Sequence, residues 1–94
     1  MMINSGVKSK TELKSDKLLT NRQIEYLSLV ALGLKNREIA LILSVSESTV
    51  KKILEEVFKR LKAKDRTNAV TIAFIHHFLN VENLIEIINK YRVF

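Results

Sequence analysis

Between Asn36 and Leu61 the chain reads NREIALILSVSESTVKKILEEVFKRL, and the spacing of its apolar residues leaves few folds open. Val50, Leu54, Val57 and Leu61 are separated by four, three and four residues, which is one stripe of a helix, widened by Ile53 and Phe58. Just upstream, Ile39, Ala40 and Leu43 share a shorter inward face, and the small Ala40 suits a close helix crossing. Ser44-Val45-Ser46 joins the two, with apolar Val45 set between polar neighbours. Ser46 is a good N-cap, and Glu47 follows where a negative charge meets the positive end of a helix dipole. Two short helices around so tight a joint have the outline of a helix-turn-helix. The outer face of the second carries Ser48, Lys51, Lys52, Glu55 and Lys59.

The flanks support an all-α bundle. The chain has no proline and only two glycines, and Leu, Ile, Lys and Glu abound. Thr20 and Gln23 have the spacing of a capping box. After them Leu27, Val30, Ala31 and Leu34 define a buried stripe with Ile24 beside it, and Gly33 offers a left-handed stop. Asn36 is the expected cap of the second helix. Asp65 or Thr67 is expected to cap a fourth helix running to about Leu79, of which Ala69, Val70, Ala73 and Phe74 pack on the core. A fifth helix follows Asn80, with Val81, Leu84, Ile85, Ile88 and Tyr91 on one face. The expected organisation is a polar basic arm over residues 1–18, a domain over 19–79 and a helical extension over 80–94.

Composition narrows the function. Cysteine is absent, which excludes a disulfide framework or a thiolate metal site, and the N-terminal residues lack the apolar centre of a secretory signal. No apolar run reaches the length of a membrane span, so a cytoplasmic location is expected. The net charge of +6 is unevenly placed. Residues 20–66 hold ten lysines and arginines against six acids, whereas residues 67–94 hold two of each. Such a balance suits a polyanionic partner for the first two thirds. His76 and His77 are adjacent, so they diverge by about 100° on a helix and cannot share a metal. No cofactor is expected. Neither a phosphate loop nor a nucleophile–base pair is visible, and an enzyme is not expected.

From Leu19 to about Ala73 the chain resembles the LuxR/NarL-type helix-turn-helix family of bacterial transcription regulators. LTNRQ, GLKNREIA, VSESTVK, VFKRL and DRTNAV occur in order at the family's spacing. Region 4 of sigma factors shares the first three, but DRTNAV points to the LuxR type. The resemblance implies that Thr49 and Lys51 meet phosphate or base edges and that Lys52 and Glu55 read bases. It places Asn36, Arg66 and Thr67 at phosphate and makes the fourth helix the dimer contact, for paired half-sites on double-stranded DNA. The chain departs from the family in having Ile53 where histidine is common, in the acids Glu55 and Glu56, and in its C-terminal extension.

The expected reading is a homodimeric, sequence-specific DNA-binding transcription regulator with the helix Glu47–Leu61 in the major groove. Lys51, Lys52 and Glu55 are the expected base-edge residues, and Arg22, Asn36, Arg37, Ser48, Thr49, Lys59, Arg66 and Thr67 the phosphate contacts. Three roles stay open for the acids: Glu55 accepts from cytosine N4, or Glu55 and Glu56 pair with Lys59 and Arg60 at i+4, or both weaken binding. The lesser alternative for Lys51 and Lys52 is a solvated face on which they pair with Glu55 and Glu56. Ile72, Ile75, His76, Phe78 and Leu79 are the expected dimer interface, on the argument that so small a domain cannot bury both sides of the fourth helix. Leu41 and Ile42, on the outside of the second helix, are expected to be covered by the fifth helix or to be scattered surface residues, rather than a partner surface. The alternative function is a protein-interaction module, a helix-turn-helix scaffold acting through its apolar C-terminal helices.

Overall fold

Four of the five described helices start at a residue whose side-chain oxygen accepts from an orphan backbone N–H, and most of these starts are legible. The computed structural model describes residues 18–94, which form α1 (Asn21–Ala31), α2 (Asn36–Leu43), α3 (Glu47–Leu61), α4 (Arg66–Ile75) and α5 (Val81–Tyr91). Thr20 Oγ1 accepts from the Gln23 N–H at 3.0 Å while the Thr20 N–H donates to Gln23 Oε1 at 2.9 Å, completing the capping box. Ser46, Asp65 and Asn80 cap α3, α4 and α5 by accepting from the N–H three residues on. The start of α2 differs from expectation: the cap position is Lys35, whose N–H donates to Glu38 Oε1. Asn36 sits inside the first turn, and its side-chain oxygen is taken by Arg66.

All five helices stop in the same way. A residue with left-handed backbone follows each: Gly33 (φ 90°), Ser44 (58°), Lys62 (57°), His77 (64°) and Arg92 (53°). The N–H of the next residue then reaches back five positions, Leu34 to Leu29, Val45 to Ala40, Ala63 to Phe58, Phe78 to Ala73 and Val93 to Ile88. This is the Schellman arrangement, which satisfies two of the carbonyls a helix end leaves open. In each case the residue that donates is apolar and packs against or within the core. Val45, set between polar neighbours in the joint, is one of five such residues.

α1 touches every other helix, α3 also packs on α2 and α4, and α5 lies along α1. Encirclement explains why α1 buries five consecutive residues, Tyr26 to Val30, where the stripe predicts only Leu27 and Val30 among them. Ser28 is buried without penalty because its Oγ donates to the Ile24 carbonyl at 2.7 Å. On α3 the buried residues are Val50, Leu54, Val57 and Leu61, the four that the spacing selects. Each contributes about 1.5–3 kcal/mol by leaving water.

The C-terminal third corrects several expectations. α4 ends at Ile75, one turn early, because His76 and His77 form its stop. The chain therefore folds back, and Phe78 and Leu79 are buried at 2% and 1% exposure in this chain's own core, not offered to a partner. Phe78 is the apolar donor of the α4 stop, which is why it turns inward. Phe74, expected inside, is 36% exposed. On α5 the buried residue is Ile87, with Leu84, Ile88 and Tyr91 half-buried beside it, while Val81 and Ile85 lie outside that stripe and are 62% and 50% exposed. Leu41 is 76% exposed, and α5, which lies on α1, leaves it so, while Ile42 is half-buried against the core. The expected basic arm falls, but for Leu18, on residues outside those described. No described helix is long and apolar enough to cross a membrane.

Candidate nucleic-acid interface

The residues of α3 that do not face the core are arranged in three strips. At about 100° per residue, Ser48, Lys52 and Lys59 form a ridge pointing away from the buried stripe. Glu55 and then Lys51 lie on one flank of the ridge, and Glu56 and then Arg60 on the other. All seven are exposed, as the sequence predicts for the five it assigned to this face. The two acids are not equivalent. Arg60 Nε donates to Glu56 Oε2 at 2.8 Å, and this hydrogen bond holds the Glu56 carboxyl below its ordinary value. Among the described residues no ion pair involves Glu55, Lys51, Lys52 or Lys59. Arg60 also donates to the Leu18 carbonyl at 3.2 Å, tying the end of α3 to the chain just before α1.

At the N-terminus of α3 three hydroxyls meet. Ser46 Oγ donates to Thr49 Oγ1 at 2.9 Å while accepting the Thr49 N–H, and lies 3.1 Å from Ser48 Oγ. Thr49 is thus half-buried and Ser48 exposed at the positive end of the α3 dipole, a place suited to an anion.

Asn36 and Arg66, 30 residues apart, are brought together. Arg66 donates from one guanidinium nitrogen to Asn36 Oδ1 at 2.9 Å and from the other to the Leu34 carbonyl at 2.7 Å. The partly buried guanidinium has its pKa lowered by desolvation, and it pins the start of α4 to the joint between α1 and α2. Both residues were expected at phosphate; in this structure their side chains serve each other. Arg37 and Thr67 are exposed nearby in sequence, at the first turns of α2 and α4.

Arg22 lies elsewhere. Its guanidinium donates to Glu25 Oε1 at 2.9 Å and stands 5.5 Å over the Tyr26 ring. Glu25 also accepts from Lys90 Nζ at 2.7 Å and from Tyr91 Oη at 3.2 Å, so Arg22 belongs to the seam between α1 and α5. Burial pushes the Glu25 carboxyl up, but the hydrogen bonds from Lys90, Arg22 and Tyr91 outweigh it and hold the group below its ordinary value. The bond to Glu25 raises Arg22 and Lys90 in turn. Sequence reasoning missed this node, since a contact across 65 residues leaves no local spacing to read. A cavity of about 510 Å³ lies on the same seam between Arg22, Glu25, His77, Asn83 and Glu86, and no residue of α3 lines it. Of the residues expected at a dimer contact, Ile75 and His76 are exposed and Ile72 is half-buried against the core.

Residues 17–73 match the model of the luxR family of bacterial regulatory proteins. The chain belongs to that family. Its members are bacterial regulatory proteins. The luxR match ends within α4 and leaves α5 outside it. Among similar proteins, the transcriptional regulatory protein YdfI of Bacillus subtilis is 40% identical over 70 residues, which cover 74% of this chain and 33% of that protein. The response regulator protein VraR of Staphylococcus aureus is 37% identical over 77 residues, covering 82% and 36%. The luxR-family chain thus spans about a third of the length of these curated relatives. No solved structure matches it.

Proposed function

We propose that this chain regulates transcription by sequence-specific binding of double-stranded DNA, with α3 in the major groove. The observation that carries the reading is the exposed α3 surface: Ser48, Lys51, Lys52, Glu55 and Lys59 lie outward from a helix whose other side is wholly committed to the core. Lys51, Lys52 and Glu55 address base edges. Ser48, Thr49 and Lys59 address phosphate from α3, and Arg37 and Thr67 do so from the first turns of α2 and α4. Asn36 and Arg66 act by fixing those turns, and Arg22 is assigned to the α1–α5 seam. The similarity to a transcriptional regulatory protein and to a response regulator supports the same class, at work in the cytoplasm.

The proposed form on DNA is a homodimer on paired half-sites, joined through the C-terminal end of α4, where Ile75 is 65% exposed beside exposed Phe74 and His76. Phe78 and Leu79 take no part. The competing reading, a protein-interaction module acting through the C-terminal helices, draws on exposed Ile75, Val81 and Ile85. A mobility-shift selection from a genomic fragment library at physiological salt separates the two. Selective enrichment supports the regulator, and sequence-blind retention or no retention supports the module.

A further inference from the structure

We infer that Glu55 is a specificity residue, and that the half-site carries two adjacent G·C pairs, one read at cytosine N4 by Glu55 and the other at guanine by Lys52. This deepens the proposed function and rests on it. Glu55 and Glu56 are both exposed on the outer face of α3, but Arg60 occupies Glu56, at 2.8 Å, and not Glu55. Glu55 also stands on the flank away from Arg60, between Lys52 on the ridge and Lys51 beyond it. Lys51, Lys52 and Lys59 are its neighbours at i−4, i−3 and i+4, so the unengaged carboxylate of the outer face is ringed by ammonium groups. Those cations offset the repulsion between a carboxylate and the phosphates, which is the main cost of bringing an acid into the groove.

Once in the groove, a carboxylate has only acceptor oxygens, and the base edges offer it two partners, cytosine N4 and adenine N6. Adenine N6 stands beside the N7 acceptor, which repels a carboxylate and suits an amide. Cytosine N4 has no such neighbour on its own base. A lysine has donors only, and guanine O6 and N7 form the double acceptor it fits. Lys52 and Glu55 are three residues apart, about 4.5 Å along the helix axis. Base pairs are stacked at about 3.4 Å, so the two side chains meet neighbouring pairs.

The test is selection from randomised duplexes at physiological salt, with the whole 94-residue chain and with Glu55→Gln and Glu55→Ala, all three checked for equal helical content. The expected wild-type motif contains a G·C doublet, and replacing its Glu55-facing cytosine lowers affinity about fivefold or more. Glu55→Gln moves that one column toward adenine, Glu55→Ala flattens it, and the slope of affinity against salt is unchanged in both. If the wild type enriches a motif and both variants enrich it unaltered, the inference is overturned while the proposed function stands. If the wild type enriches no motif, both are overturned.

Discussion

At the scale of single residues, charge on this molecule divides into groups that are used internally and groups that are not. Lys51 and Lys52 carry no internal partner among the described residues, so removing either should cost binding without costing the fold. Lys51→Ala is expected to weaken binding to a selected site by about tenfold and to reduce the salt slope by about one counterion, read by titration over a range of salt. An unchanged slope would take Lys51 off the DNA. Glu25 is the opposite case: 20% exposed at its side chain and hydrogen-bonded to Arg22, Lys90 and Tyr91. Because its carboxyl is held low in the folded state, folding favours the ionised form. Its stabilising effect is complete above the ordinary carboxylate value and drains away as pH falls through the depressed one. Glu25→Gln should cost about 1–2 kcal/mol at neutral pH and proportionally less in acid, measured by denaturant unfolding across pH.

At the scale of elements, the parts of the fold legible from sequence are those whose determinants are local. The buried stripe of α3, the capping box at Thr20 and Gln23 and the cap at Ser46 each involve residues of one helix or its first turn, and each is found where spacing places it. The end of α4 was misplaced because AFIHHFL has no glycine or proline to mark the stop, and His77 adopts the left-handed backbone without any compositional sign. Without that stop Phe78 and Leu79 fall on the outer side of a longer α4, whereas the chain folds back and buries them. The face of α5 was misjudged for a different reason. Val81, Ile85 and Ile87 are all apolar, and only the position of α1 decides that Ile87 is covered. The outer face of α3 was legible as a set, but which of its two acids is engaged depends on a rotamer of Arg60. Ile87→Ala is expected to cost about 2–3 kcal/mol, while Ile85→Ala stays within about 0.5 kcal/mol, by chemical denaturation of each. Equal effects would mean that α5 does not rest on α1 as described.

At the scale of the whole molecule, the surface is apolar mainly toward the C-terminal end of α4 and along the outer side of α5. Ile75→Lys is expected to shift the molecule to monomer in sedimentation and to abolish cooperative binding of paired half-sites, while a single half-site is bound as before. Loss of single-site binding as well would show that Ile75 supports the fold instead. Four of the five left-handed positions carry a side chain, and each such residue holds a conformation costing about 1–2 kcal/mol that glycine would not bear. Against the greater freedom of glycine in the unfolded chain, each exchange still returns a fraction of a kcal/mol. His77→Gly should raise the melting temperature by about 2–4 °C. Ser44, Lys62 and Arg92 offer the same headroom, so the domain is held well short of the rigidity its own architecture allows.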